Sequence, residues 1–502
     1  MKESLEYVYK EQKELSIYSG IGALLGWDQM TYMPSDGSSD RAEQTALISR
    51  LAHEKTTADA LYDHVRKLNE TITFAQLKEH DKLVVTRLKK DLEKTRKIPS
   101  AFIEKISKTT TLAYQAWEEA RAKKNFYHFA PHLEKIIELE KEYCTYINLP
   151  GHPYNSLLDD YEEGMTVDIL KKEFTYLRKN LIEILDKIKT STLFQKQKPF
   201  QKTLSIENQK KLCNYFIKKM NLSKTKFRLD VSTHPFTTSI GNNDVRITTN
   251  FERKNPLFSF YSTIHEVGHA LYELNLPQNE YKDTVISDSP SLGLHESQSR
   301  FWENMIARNK HFWVFFYPVF QKIVPKKFTT IALDQWYRII NQVQPSLIRV
   351  EADELTYCLH IILRFELELM LITDEIKVAE VPDIWDQKIQ NYLGVRPHND
   401  VEGALQDMHW SGGSFGYFPT YAIGSIYAAQ LFQTLLKHHP DTLQNIEQGD
   451  FASIITWLQN NIHQYGRLMT ADDIIKTCCG EGLNSQRYIS YLKDKYYTLY
   501  NI

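Results

Sequence analysis

Two histidines four residues apart, with a glutamate beside the first, stand at His265-Glu-Val-Gly-His269. On a helix, positions i and i+4 share a face one turn apart, so both imidazoles can reach one divalent cation. Glu266 then lies where a carboxylate can take a proton from metal-bound water, the chemistry of a zinc-dependent hydrolase. Two histidines on a core helix would share this spacing, so the motif needs a further ligand and a helix to carry it. A catalytic zinc site takes three protein ligands and keeps one position open. Glu273 lies eight residues past His265. At a rise of roughly 1.5 Å per residue that is about 12 Å along the axis, too far to share the ion. Tyr272 stands where the metzincin pattern has glycine, so a carboxylate from a second helix is required. The segment His295-Glu-Ser-Gln-Ser-Arg-Phe-Trp-Glu303 offers Glu296 and Glu303, seven apart on one face. One can ligate the metal while the other supports a histidine from behind. Spacing alone does not choose between them, and Glu280 in a polar loop is a weaker candidate.

The elements that must position these groups are mostly helices. Asn255-Pro256 reads as an N-cap followed by proline at the first helical position, and that helix closes near Asn275 and Pro277. Just before it, Phe227–Ser232 and Val245–Thr249 are rich in β-branched residues and flank the turn-forming Gly241-Asn-Asn-Asp. They predict a small hairpin or short sheet. Apolar residues at three- and four-residue spacing predict helices over 83–96, 102–124, 132–146, 167–190, 346–373 and 420–437. The fold class is mainly α with one small sheet. The polar stretch Gln195–Lys202 separates two approximate lobes, 1–200 and 201–502, of a single catalytic domain.

Composition narrows the function. The 502 residues are 42% hydrophobic and 25% charged, the balance of a water-soluble globular protein. A formal net charge of −2 carries no basic surplus for nucleic acid. The N-terminus has charges where a signal peptide needs an apolar core, and the densest apolar run, Phe312–Phe320, is broken by Pro318. No membrane association is therefore expected. Five widely spaced cysteines fit reduced thiols and a cytoplasmic location.

Several motifs in order carry a family resemblance. Trp27-Asp-Gln-Met-Thr-Tyr-Met-Pro, Arg41-Ala-Glu-Gln and Leu51-Ala-His-Glu open the chain. His234-Pro-Phe, Asp244-Val-Arg-Ile-Thr and the two metal motifs occupy its centre. Ile348-Arg-Val-Glu-Ala-Asp and Gly403-Ala-Leu-Gln-Asp-Met-His-Trp complete the set. Together they resemble the carboxypeptidase Taq family of metallopeptidases. The resemblance implies Glu296 as third ligand and a helical fold with a deep groove, related to neurolysin and angiotensin-converting enzyme. It also implies removal of C-terminal residues from peptides one at a time, with broad specificity, by a cytosolic homodimer using zinc or cobalt. Residues 281–290 match nothing in that pattern.

Such a reaction needs donors for a developing oxyanion and a cation for the terminal carboxylate. His409 and Tyr421 are the donor candidates, one just before and one at the end of the glycine-bearing segment Ser411–Tyr421. Arg349 and Arg246 are the candidate carboxylate clamps. Arg349 and Asp353 are also an i, i+4 pair on the predicted 346–373 helix, where they can form a structural ion pair with Asp353 behind the site. Arg246 can equally anchor its strand. The edge of strand 245–249 can pair with an extended peptide, and His234 either contacts substrate or shapes the turn before its proline. Two rival functions share these residues: a neurolysin-type endo-oligopeptidase without a carboxylate clamp, and a non-catalytic helical scaffold.

Overall fold

The computed structural model of the chain describes residues 1–198, 200 and 202–502. The predicted lobe boundary at 195–202 includes Pro199 and Gln201, which lie outside the described residues.

Most predicted helices are found with close boundaries: Glu79–Arg96, Ser100–Lys123, Ala130–Ile147, Val167–Thr190 and Pro419–His438. The Val167–Thr190 helix illustrates why. The Thr166 hydroxyl caps the Ile169 amide, Lys187 and Lys189 complement the C-terminal dipole, and Leu170, Leu177, Leu181, Ile184 and Ile188 form one buried stripe. One hydrophobic core runs from Ala113 to Tyr500 and so crosses the predicted lobe boundary. A smaller core of Val8, Leu61, Val65, Leu68, Val85, Leu88 and Leu92 holds the N-terminal helices together. Among the described residues, no helix is long and apolar enough to cross a membrane.

The Tyr357–Ile372 helix is buried all round, with only Glu366 and Met370 partly exposed. It begins well after residue 346, because Arg349–Glu351 form a separate 3₁₀ turn and Ala352 is extended. Asp353 ends that irregular stretch by accepting the amides of Gln344, Leu355 and Thr356 at 2.8, 2.9 and 3.0 Å. The predicted i, i+4 pair between Arg349 and Asp353 therefore does not form. Asp353 instead caps the turn that leads into this helix.

The sheet has three strands in the order β1 (Phe227–Val231), β3 (Asp244–Thr249), β2 (Thr237–Gly241). The hairpin is β2–β3, antiparallel about the predicted turn, while β1 lies parallel to β3. Thr237–Gly241 was unrecognised because its small polar residues lack alternation. This placement puts 245–249 in the middle of the sheet, so the edge near the motif helix that lacks a second strand partner belongs to β2. The first helix, Lys2–Thr31, crosses β2 where Gly20 leaves room for the Ile240 carbonyl; a Cβ there would come within 2.3 Å of it.

Candidate active site

The motif helix spans Phe258–Asn275, starting two residues later than predicted. Asn255–Leu257 form a turn instead, with the Phe258 amide donating to the Asn255 carbonyl at 3.2 Å. The helix is registered on the sheet: Thr249 at the end of β3 bonds Ser262 at 2.7 Å. One turn on, the Thr237 hydroxyl of β2 donates to Glu266 at both its carbonyl (3.1 Å) and its carboxylate (2.6 Å). The edge strand and the candidate base are thus fastened together. Thr237 escaped notice because no motif singles it out.

The second helix, Leu292–Arg300, is capped by the Ser291 hydroxyl on the Leu294 amide. It continues as a π-helical stretch, Phe301–Ala307, that contains Glu303. Two glycines let it lie close to its neighbours. A Cβ on Gly268 would fall 2.6 Å from the Gln298 carbonyl oxygen, and one on Gly424 would fall 2.6 Å from Glu296 Cγ. Backbone contact on both sides therefore fixes where Glu296 stands.

His265, His269 and Glu296 present one donor atom each, all within 4.8 Å of one another. Glu296 Oε2 lies 3.4 Å from Nε2 of both histidines. The other nitrogen of each ring is engaged from behind. His265 Nδ1 meets Glu303 Oε2 at 3.0 Å, and His269 Nδ1 meets His295 Nδ1 at 2.6 Å. His295 Nε2 in turn meets Glu273 at 2.8 Å. The remaining Nε2 atoms face one shared space, and two imidazoles with a carboxylate are a donor set suited to a divalent transition metal. These residues fit such an ion. His295 and Glu273 as backing for His269 were not predicted, although His295 adjoins Glu296 and Glu273 is one turn past His269.

Charge around the site is sharply partitioned. Arg300 Nε donates to Glu296 Oε1 at 2.7 Å, while Oε2 faces the histidines and accepts the Ser299 hydroxyl at 3.0 Å. Burial alone would raise both glutamates, but Arg300 and His265 hold Glu296 well below the usual carboxylate range. For Glu303, the His265 hydrogen bond and the guanidinium groups of Arg300 and Arg308 outweigh burial and hold it at about 2. Burial depresses His265, yet Glu296 and Glu303 prevail and raise it to about 10. Glu266 shifts upward through burial, with His265 opposing.

A second cluster stands beside the first. The Asp407 carboxylate takes Arg349 Nε at 3.0 Å and Arg364 Nε at 2.7 Å, so two guanidinium groups share one counter-ion. The Arg349 guanidinium lies 5.0 Å from the Tyr421 ring centre. His409 packs against Tyr417 and Phe418, its ring centre 6.4 Å from that of Tyr421. Burial lowers His409 to about 4, so its imidazole is neutral near pH 7. Its Nδ1 is buried without a hydrogen-bond partner among the described residues. Tyr421 belongs to the first turn of the Pro419–His438 helix, within the predicted 420–437 helix and one turn before Gly424. The structure thus gathers His265, Glu266, His269, Glu296 and Glu303 in one place, and Arg349, His409 and Tyr421 in another. Arg246 and His234 stand apart from both. Arg246 is held by Asp244 at 2.7 and 2.8 Å and stacked over Trp27, while His234 is exposed at the turn between β1 and β2. Asp407 was missed as the partner of Arg349, although it sits two residues before His409.

The sequence profile of the carboxypeptidase Taq (M32) metallopeptidases matches residues 7–496. The chain is 42% identical over 488 residues to carboxypeptidase 1 of Bacillus subtilis, covering 97% of each chain. It is 37% identical to thermostable carboxypeptidase 1 of Pyrococcus furiosus, covering 98% of each. The crystal structure of the M32 carboxypeptidase from Deinococcus radiodurans superposes with a TM-score of 0.95 at 32% identity, covering 99% of this chain and 100% of that one. A metallocarboxypeptidase of Trypanosoma cruzi does so with a TM-score of 0.94, again at 32% identity, covering 99% of this chain and 100% of that one. With the family profile spanning residues 7–496 and relatives matched over nearly their full length in sequence and fold, the chain belongs to the carboxypeptidase Taq (M32) family and is a metal-dependent carboxypeptidase.

Proposed function

We propose that this single catalytic domain is a zinc carboxypeptidase, able to use cobalt, that removes C-terminal residues from peptides with broad specificity. The observation that carries this reading is the convergence of the His265, His269 and Glu296 donor atoms beside Glu266. Those three residues would hold the ion. A divalent cation held there supplies Lewis acidity, lowering the pKa of water toward about 7 and polarising a carbonyl.

The chain's own groups do the rest. Glu266, whose carboxyl burial shifts upward, accepts the proton of the attacking water and returns it to the leaving amine. Glu303 and the His295–Glu273 pair keep each ligand ring in the tautomer that leaves Nε2 unprotonated. His409 and Tyr421 donate to the oxygen that gains negative charge, the neutral imidazole having a nitrogen to spare. Arg349 takes the substrate's terminal carboxylate. Asp407 neutralises only one of the two guanidinium groups it touches, which leaves a buried positive charge for an anion. The edge of β2 that lacks a strand partner pairs with the extended peptide backbone, which is insensitive to side chain and suits broad specificity. Arg246, already paired with Asp244, serves as strand anchor, and His234 shapes its turn.

We place the protein in the cytoplasm, in keeping with five free cysteines. A homodimer is expected from the family resemblance.

The deciding experiment is mass spectrometry of a free-acid peptide and its C-terminal amide, incubated with zinc- or cobalt-loaded protein. We expect a ladder of C-terminal truncations from the acid only, and none from Glu266→Gln. Equal cleavage of the amide would remove the Arg349 clamp, and internal cuts would remove the exopeptidase reading.

A further inference from the structure

We propose that Glu368 is a positioning residue for hydrolysis, gripping from behind the turn that carries His409 and Tyr417. It rests on the reading that this turn and the helix after it supply donors to the substrate. Glu368 lies on the Tyr357–Ile372 helix and is completely buried. Its carboxylate accepts three hydrogen bonds. The Trp410 indole N–H donates to Oε1 at 2.8 Å, the Gly416 amide to Oε2 at 3.0 Å, and the Tyr154 hydroxyl to Oε2 at 2.5 Å.

Two of these donors occupy telling places. Trp410 follows His409 directly, and Gly416 directly precedes Tyr417. One carboxylate therefore ties both ends of the turn from Trp410 to Gly416 and fixes the spacing of the two rings that flank it, whose centres lie 5.2 Å apart. The turn stands near the candidate metal site: Tyr417 packs on Tyr421 with ring centres 5.4 Å apart, Tyr421 on Tyr357 at 6.2 Å, and Tyr357 lies under the Arg300 guanidinium that holds Glu296. The third donor, Tyr154, comes from the first half of the chain and closes the turn against it. Gly416 has φ +88°, and a Cβ on it would meet the Leu157 carbonyl at 2.6 Å, so the turn lies flush on the segment that bears Tyr154. A carboxylate suits the task because it accepts three bonds at once, whereas a glutamine offers one acceptor oxygen and sets an amide donor against N–H donors.

A carboxylate that merely staples the core would lower stability when changed and leave turnover alone. Glu368→Gln in the full-length, metal-loaded enzyme separates the two roles. A displaced donor at the reacting centre costs about 100-fold in rate for a shift near 1 Å. We expect kcat to fall about 100-fold with KM within about threefold of wild type and bound metal unchanged, in a protein that melts lower than wild type but stays folded at the assay temperature. Trp410→Phe, which removes one donor and keeps an aromatic ring, should lower kcat about tenfold in the same pattern. Wild-type kcat in Glu368→Gln, or a loss traced wholly to melting temperature or metal content, would overturn the inference. If Glu368→Gln does not fold, Trp410→Phe decides alone, and wild-type turnover there overturns it. His409→Ala and Tyr421→Phe belong in the same series. If both are silent, the donor reading fails. If they are impaired while Glu368→Gln is not, only the positioning role falls.

Discussion

At the metal-binding face, Glu296 and Glu303 each meet positive charge: Arg300 on the first, Arg300 and Arg308 on the second, with His265 between them. Away from it, Glu368 behind the 409–416 turn and Glu162 at the start of the Glu296 helix are as deeply buried, yet they bond only neutral donors. Glu162 accepts the Gly293 amide, and Glu140, nearby, has an Oε1 with no hydrogen-bond partner among the described residues. The outcomes diverge. Glu303 is held at about 2, whereas burial pushes Glu368 to about 7, Glu162 to about 8 and Glu140 well above the usual range. Depth is common to both groups, so the partners decide the ionisation. The first group stays charged and can neutralise a cation. The second acts as acceptors that hold backbone in place, at a cost that depends on pH.

The comparison can be broken at its charged end first. Glu296→Gln removes a proposed ligand, and metal affinity should fall by more than about 100-fold, the upper range for outer partners, in competition with a chromophoric chelator. Unchanged affinity would strike Glu296 from the ligand set. Glu303→Gln leaves all three proposed ligands and removes only the carboxylate behind His265. Affinity there should drop about 10- to 100-fold, and a loss as large as that of Glu296→Gln would mean Glu303 itself binds metal.

The smallest effect on metal belongs to Glu162→Gln, with affinity within about twofold of wild type if only charged partners tune the site. Stability should respond instead. The folded pKa of Glu162, about 8, lies above the ordinary 4.5, so the folded state binds its proton more tightly. That stabilisation is complete below about pH 4.5 and is lost as pH rises through about 8. Glutamine cannot ionise, so urea denaturation should show the wild type losing on the order of a few kcal/mol relative to the variant between about pH 5 and 8. Parallel curves would mean that Glu162 stays ionised in the native protein.

What the sequence disclosed follows from how local each signal is. The helix bearing His265 and His269 was legible because spacing on one helix fixes which face each residue takes. The stripe of Val167–Thr190 was legible for the same reason. Strand Thr237–Gly241 was not, since it exists through pairing with β3 and has no alternation of its own. Proximity in sequence offers Asp353 as one partner for Arg349, but a 3₁₀ turn intervenes and Asp407, 58 residues on, takes the guanidinium. Glu303 could be suspected from its heptad distance to Glu296, whereas the partnership of Glu368 with Trp410 and Gly416 joins segments that no periodicity connects. Motifs reveal what lies within a turn of helix or strand; contacts across the core need the fold.

Gly268 occupies one of the two positions that the motif pattern leaves unspecified. Here that freedom is nominal, because the Gln298 carbonyl already fills the place of a side chain. Gly424 closes the opposite flank in the same manner. The separation between the helices that carry the histidines and the glutamate is therefore set by atoms that are missing, with glycine as the stop on each side. An engineer wishing to admit a larger ion would gain little by exchanging ligands. The lever is Gly268, since a methyl group placed there acts as a spacer between the two helices and widens the site before the first coordinate bond is drawn, whereas one on Gly424 would press on Glu296 from the far side.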